Sequence, residues 1–338
     1  MKRGNTMIKI AVDGMGGDFA PEPIVKGSIE ALKKFNDLEI TIFGDENKMK
    51  PYLIDHPRLK VIHTENFVDM GVKDPVFEYR RNKNASLFMA MRYVAENNAD
   101  AVVTAGPTQA VVVGGHLALK RMPQMHRVAI APIIPSIDGR GKVLLDSGAN
   151  VELKAEHIEE FAVYASVVAE KTLGRSNPKV GLVNIVTEEG KGRELYKEAY
   201  ELLKNNENIN FVGNIEPKEV LTSDCDVLVT DGFTGNILMK TMEGTALGFG
   251  KMLKQSIYSS FLSKIGGLFM KKQLKQLSKK MDASEIGGAL VLGLNHILIK
   301  AHGSSDSYAF YNAIRQARTM VEKDVINTVN NVLARKRD

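Results

Sequence analysis

The chain has one cysteine, Cys225, and no tryptophan among its 338 residues. A single thiol cannot close an internal disulfide, so the simplest compartment is the cytoplasm. No stretch reaches the roughly 18–20 apolar residues of a spanning helix. The opening MKRGNTMIKI lacks an apolar signal core followed by a small-residue cleavage site. The seven histidines show no ligand spacing, which argues against a structural zinc site. Acid is missing from one place. Residues 251–281 hold eight lysines (251, 254, 264, 271, 272, 275, 279, 280) and no Asp or Glu. The net charge is +5, so without those eight lysines the remainder would carry −3. Basicity confined to one segment argues for a local anionic partner and against a general nucleic-acid surface.

What is present is ordinary for a globular protein: 44% apolar and 25% charged residues. The length suits one large α/β domain or two lobes. Apolar, β-rich runs predict strands at 8–12, 39–43, 59–63, 100–104, 128–134, 142–146, 179–185, 226–230 and 297–301. Helical periodicity predicts helices at 23–35, 84–98, 108–121, 155–172, 190–204, 234–256 and 306–334. Strands that alternate with helices and are apolar throughout imply a largely parallel sheet covered on both faces. With no repeat and no low-complexity linker, residues 7–335 read as a single α/β catalytic domain.

Several strands end in a glycine turn: IAVDGMGGD, VVTAGPTQ, LLDSGAN and VLVTDGFTGN. In open α/β sheets, ligands collect beyond the carboxyl ends of the strands. One such turn needs no ligand to explain it; four, with Asp, Thr and Asn recurring, predict a site built from distant segments. It is not a nucleotide site of the usual kinds. After Gly14 and Gly16 a dinucleotide fingerprint needs a third glycine where Phe19 stands. A P-loop ending at Gly190-Lys191 needs glycine where Ile185 stands. Neither H-E-x-x-H nor G-x-S-x-G occurs. Cys225 lies between Asp224 and Asp226, and acidic neighbours disfavour a thiolate. An enzyme whose nucleophile is inorganic phosphate needs none of these. It must position the phosphate, polarise a carbonyl and stabilise an oxyanion.

Three further stretches supply groups for that chemistry. NIVTEEGKGREL puts Thr187, Gly190, Lys191 and Gly192 where a strand gives way to a helix. Backbone N–H groups there could bind an anion, with Lys191 adding charge. The alternative is a capped helix beside a solvated lysine. In VTDGFTGNILMKTMEG, Thr234 or Asn236 either caps the helix or faces a ligand, and two glycines within four residues suggest close backbone approach. In IKAHGSSDSYAF, His302 before Gly-Ser-Ser is either structural or a hydrogen-bond donor.

Taken in order, AVDGMGGDFAP, DPVFEYRRNKNAS, LLDSGAN, GLVNIVTEEGKG, NFVGNIEP, VLVTDGFTGN, SEIGGALVLG and KAHGSSD resemble the phosphate acyltransferases of bacterial phospholipid synthesis, the PlsX family, from about residue 7 to residue 320. The resemblance implies a three-layer α/β/α fold with a mostly parallel sheet, like isopropylmalate dehydrogenases and phosphotransacetylases, in a homodimer. It implies transfer of a fatty acyl group from acyl carrier protein to inorganic phosphate, without cofactor or metal. The acyl-phosphate would pass to a membrane-bound glycerol-3-phosphate acyltransferase. Lys191 and Asn236 correspond to the principal catalytic pair. Asp13, Gly16, Gly17, Asp18, Thr187, Asp231, Thr234 and His302 would line the substrate cleft. Asp13 and Asp18, on either side of the GMGG turn, are awkward beside phosphate; they could orient Lys191 or His302, accept a proton from monobasic phosphate, or lie behind the loop as turn formers.

The chain departs from the family pattern in three places. Ala105-Gly106-Pro107-Thr108-Gln109-Ala110 stands where the family has Ala-Gly-Asn-Thr-Gly-Ala; Val186 replaces a glycine, and Gly14 an alanine. Two other functions therefore stay open: a relative using acyl-CoA or a shorter acyl donor, and a non-catalytic membrane scaffold.

The lysine-rich segment reads IYSSFLSKIGGLFMKKQLKQLSKKM over 257–281. Ile257, Phe261, Ile265, Leu268 and Phe269, then Leu274, Leu277 and Met281, recur near helical spacing with lysines between. Gly266-Gly267 is expected to break the run, making 250–281 an amphipathic helical hairpin. Three readings follow: contact with an anionic membrane surface, which would make the protein peripherally membrane-associated; packing in a dimer; and docking of acidic acyl carrier protein.

Overall fold

The computed structural model describes residues 7–281, 285 and 287–334. Residue 335, residues 284 and 286 of the SEIGGALVLG stretch, and the side chains of Leu277, Lys279, Lys280 and Met281 lie outside the described residues. The strands, in chain order, are β1 (Ile8–Asp13), β2 (Leu38–Gly44), β3 (Leu59–His63), β4 (Ala101–Thr104), β5 (Ala129–Ala131), β6 (Ile133–Ile134), β7 (Lys142–Leu145), β8 (Lys179–Val183), β9 (Asn210–Ile215), β10 (Val227–Val229), β11 (Gly288–Leu292) and β12 (Ile297–Ala301).

They form two sheets. The first runs β3-β2-β1-β4-β12-β11-β5 and the second β6-β7-β10-β8-β9. β3, β2, β1, β4 and β12 pair parallel, as do β7, β10, β8 and β9. The antiparallel pairs are β12–β11, β11–β5 and β6–β7. The expected run 128–134 is not one strand. Pro132 has no N–H to continue a ladder, and the chain passes there from one sheet to the other.

Alternation along β1 shows the layering. Ile8, Ile10 and Val12 join a core with Ile24 and Leu32 of helix Glu22–Lys34 and Phe310 of helix Ser307–Glu322. Ala11 points the other way, into a core with Leu87 and Phe88 of helix Ser86–Ala95. The first core continues under the second sheet, through Phe161 of helix Ala155–Leu173 and Val227 of β10. The result is helix, sheet, helix, as expected.

Several boundaries moved. The expected helix 190–204 starts at Glu194, because Gly190 and Gly192 sit at φ +74° and +101°. Lys191 thus belongs to a loop ahead of the helix. The expected helix 306–334 is two helices, Ser307–Glu322 and Val325–Ala334, parted where Asp324 adopts φ +51°. The 108–121 run is α-helical over Thr108–Gly114 and widens to a π-turn over Gly115–Leu119. β9, β11 and helix Pro75–Arg81 were not expected as elements. Polar residues interrupt β9, and β11 is a short run beginning at a glycine.

The lysine-rich segment does form a helix pair, Gly232–Tyr258 and Phe261–Met281, but the break is not at Gly266-Gly267. It falls at Ser259-Ser260, where Ser260 Oγ accepts the N–H of Ser263 at 3.1 Å. The second helix runs through both glycines. A Cβ on Gly267 would lie 2.5 Å from Ile257 Cγ2, so this glycine lets the two helices touch.

Candidate active site

Parallel strands from both sheets, β4 and β12 of the first and β7 and β10 of the second, lead into one cleft of about 230 Å³. Its polar lining comes from distant segments: Thr108 after β4, Ser147 and Gly148 after β7, Asn236 after β10, and Lys300 and His302 at the end of β12. This is the geometry expected at strand carboxyl ends.

Asp13 lies behind the GMGGD loop, not in the cleft. It is 2% exposed, and accepts the hydroxyls of Ser86 at 2.6 Å and Thr104 at 2.7 Å and the N–H of Met15 at 3.3 Å. Burial raises its pKa against the pull of those hydrogen bonds. Gly16 is wedged between the Asp13 carboxylate and Gly106, and Gly17, at φ +112°, packs on Ala105 and Gly303. These glycines hold three loops together. Gly14 also has a packing cause: a Cβ there would lie 2.7 Å from Ile42 Cγ2. Asp18 is exposed, its N–H donates to Gly303 O at 2.8 Å, and its carboxylate edge lies along Gly303.

The LLDSGAN turn is built on Asp146, which is fully buried. It accepts the N–H groups of Ile130, Gly148, Ala149 and Asn150 at 2.8–3.2 Å, and the Asn150 amide at 2.8 Å. Helix Gly232–Tyr258 lands on this turn. A Cβ on Gly232 would lie 2.2 Å from Asn150 O, and one on Gly235 1.9 Å from Asp146 O. The close approach expected from two glycines within four residues is thus present. It sets Asn236 against Gly148, where a Cβ would lie 2.5 Å from the Asn236 amide nitrogen. Among the described residues, the Asn236 side chain makes no hydrogen bond.

Asp231 and Thr234 sit at the start of the same helix. Asp231 caps it by accepting the N–H of Thr234 at 2.9 Å. Its carboxylate also accepts the hydroxyls of Thr234 at 2.9 Å and Tyr196 at 2.5 Å, and pairs with Arg193 at 3.4 Å. Neither residue is among those lining the cleft. The Arg193 contact ties the 184–193 loop to this turn. Asn184 Nδ2 donates to the Lys191 carbonyl at 3.0 Å, and a Cβ on Gly192 would lie 2.5 Å from Asn184 Oδ1. Thr187 and the Lys191 side chain are exposed and outside the cleft lining. The structure therefore gathers Asn236 and His302 in the cleft, with Asp18 beside it, and leaves Lys191 on a loop tethered nearby.

His302 Nδ1 accepts the Ser304 N–H at 3.3 Å and lies 2.8 Å from its hydroxyl. An Nδ1 that accepts leaves the proton of the neutral ring on Nε2, which makes the ring a donor. Sequence reasoning missed Lys300. It stands inside the KAHGSSD stretch, but within a strand otherwise wholly apolar. Cys225 is buried, and burial pushes its thiol up to about 11, against any role as a nucleophile.

The layers, strand order and cleft define a protein with the phosphotransacetylase-type fold. A phosphotransacetylase from Streptococcus pyogenes superposes with a TM-score of 0.62 at 18% identity, over 96% of this chain and 95% of that one. In sequence, the profile of the family described as "Fatty acid synthesis protein" matches residues 8–328. The phosphate acyltransferase of Acholeplasma laidlawii is 54% identical over 329 residues, covering 97% of this chain and 98% of that one. That of Anoxybacillus flavithermus is 46% identical over 327 residues, covering 97% and 99%. The chain belongs to this phosphate acyltransferase family.

Proposed function

We propose that the protein transfers a fatty acyl group from acyl carrier protein to inorganic phosphate, working as one catalytic unit over residues 7–335. Family membership makes it an acyltransferase with phosphate as acceptor. The chemistry needs no protein nucleophile. A phosphate oxygen attacks the thioester carbonyl, a tetrahedral oxyanion forms, the C–S bond breaks, and the electron pair leaves on sulfur. The product is a mixed acyl-phosphate anhydride. Asn236 would donate its amide to the oxyanion, where a fixed donor acts without reorganisation. His302 Nε2–H is a second donor in the same cleft, and Lys191 would neutralise incoming phosphate.

One observation carries this reading most: the Asn236 amide, without a hydrogen bond among the described residues, is held in the cleft by a Gly148 that leaves it room. The deciding assay incubates the protein with palmitoyl-acyl carrier protein or palmitoyl-CoA, each with phosphate, and looks for acyl-phosphate. Product from the carrier-bound donor supports the proposal. Product from the CoA donor alone replaces acyl carrier protein with CoA, and silence with both favours a scaffold.

The helix pair supports a place for that reaction. Phe261 and Phe269 are 77% and 81% exposed, and Leu262 and Leu268 are exposed with them, among lysines and without acid. Among the described residues no helix is long and apolar enough to cross a membrane. A basic element with uncovered apolar side chains suits an anionic lipid surface. We place the enzyme in the cytoplasm as a homodimer, resting on the membrane where a glycerol-3-phosphate acyltransferase would use its product. Flotation with anionic vesicles should carry the protein and leave Phe261→Asp behind. If the wild type never floats and Phe261→Asp dissociates the dimer, the helix pair is a dimer element.

A further inference from the structure

Lys300 is a cation built into the cleft wall. Its backbone is fixed on both sides, paired with Ala289 of β11 and Thr104 of β4. Its side chain lines the cleft that Asn236, Ser147, Thr108 and His302 also line. An ammonium has three N–H donors. Among the described residues Nζ has one hydrogen-bond partner, a neutral acceptor, the Ala301 carbonyl at 3.0 Å. Among the described residues no carboxylate comes within ion-pairing distance, and Asp18 acts on it only through space. A half-satisfied ammonium in a partly buried wall is costly unless an anion completes it. Most other polar groups of the wall favour an anion too: the Asn236 amide, the Nε2–H of His302, the Ser147 and Thr108 hydroxyls and the Lys240 ammonium can donate, against one carboxylate in the lining, Glu243. Lys191, by contrast, is exposed on its loop and outside the cleft lining.

We propose that Lys300 is the resident cation of the acceptor subsite, binding the phosphate that attacks the thioester carbonyl. This rests on phosphate being the acyl acceptor. Lys300 stays protonated throughout: the C–O bond forms, the C–S bond breaks, the electron pair leaves on sulfur, and the thiolate takes its proton from water. The charged and titratable groups around the amine are Asp18 beside it, His302 on the next turn, and Lys240 and Glu243 on the helix across the cleft lining. Burial holds the Lys300 amine down at about 8, with Asp18 pulling the other way. The cation is thus present at neutral pH and is lost as pH rises through that value.

Two measurements test this. In the first, the wild-type protein without acyl donor is treated with trinitrobenzenesulfonate, with and without inorganic phosphate, and the modified lysines are mapped by mass spectrometry. Phosphate should protect Lys300 more than Lys191; protection of Lys191 alone overturns the proposal. In the second, Lys300→Met should raise the KM for phosphate by about tenfold or more, leaving the acyl-donor KM within about twofold. Lys300→Arg should recover most of the affinity and abolish its decline above pH 8. An unchanged phosphate KM in folded Lys300→Met, or a decline that persists in Lys300→Arg, also overturns it. Protection of Lys300 in a protein inert toward every acyl donor would sink the acyl-transfer reading and leave the phosphate site standing. Normal turnover without protection would do the reverse.

Discussion

Glycines in the cleft and glycines in the long helix pair obey different rules. At Gly148, Gly232 and Gly235 a Cβ would strike a side-chain amide or a backbone carbonyl within 2.5 Å, and each contact positions Asn236. At Gly244, Gly248 and Gly250 of the same helix nothing lies within 4 Å of a Cβ. The carboxylates divide the same way. Asp13, Asp146 and Asp231 are buried and saturated with donors, whereas residues 251–281 hold no acid at all. One region is determined by contacts on every side; the other has little packed against it beyond its own partner helix. Chemistry requires the first condition, and attachment to something outside the chain suits the second.

The largest effect should come from Asn236, a cleft group whose amide makes no hydrogen bond among the described residues. Asn236→Ala should keep its fold by circular dichroism and lose about 100–1,000-fold in kcat. Near-normal turnover in a folded variant would remove Asn236 from the chemistry. Next comes the seat of the helix. Gly235→Ala places a methyl against the Asp146 carbonyl and should destabilise by about 1–3 kcal/mol, read from chemical denaturation. If it melts like wild type, the helix is not pinned where the contacts place it.

Lys300 should show the opposite sign. Its amine is held at about 8 when folded, against roughly 10.4 in an unfolded chain. The folded state therefore pays for the ammonium at neutral pH, and the cost fades as pH rises from 8 to above 10. Lys300→Met should be more stable than wild type at pH 7, on the order of 1 kcal/mol, with the advantage disappearing by pH 11. A stability gain joined to a weaker phosphate interaction marks a residue kept for function. The smallest effect belongs to the helix pair: Gly250→Ala should stabilise by about 0.5–1 kcal/mol, because an exposed helical glycine carries only its entropic cost. Destabilisation there would mean that something outside the chain needs the gap.

The same contrast explains what could be read from sequence. Alternating strands and helices, and glycine turns at strand ends, follow from periodicity and turn chemistry, and they located the cleft. The Gly232 and Gly235 spacing announced a close approach because few other reasons place two glycines at a helix start. Asp13 could not be oriented, since a carboxylate behind a loop and one in front of it have the same sequence. Lys300 was hidden by its strand: ILIKA reads as core, although a lysine breaking an apolar run was the available signal. Gly267, beside Gly266, reads locally as a helix breaker. Its reason is Ile257 on the neighbouring helix, a tertiary contact that no local pattern records.

Helix Gly232–Tyr258 begins against the buried Asp146 turn and ends at the serine corner that starts the lysine-rich helix. Twenty-seven residues of helix span about 40 Å. Asn236 stands near the start of that span, and the exposed Phe261 and Phe269 lie beyond its end. A single rod therefore separates the cleft residue Asn236 from the exposed phenylalanines of the lysine-rich helix. Under the proposed membrane placement, the length of that one helix would set the distance an acyl-phosphate covers to reach its consumer.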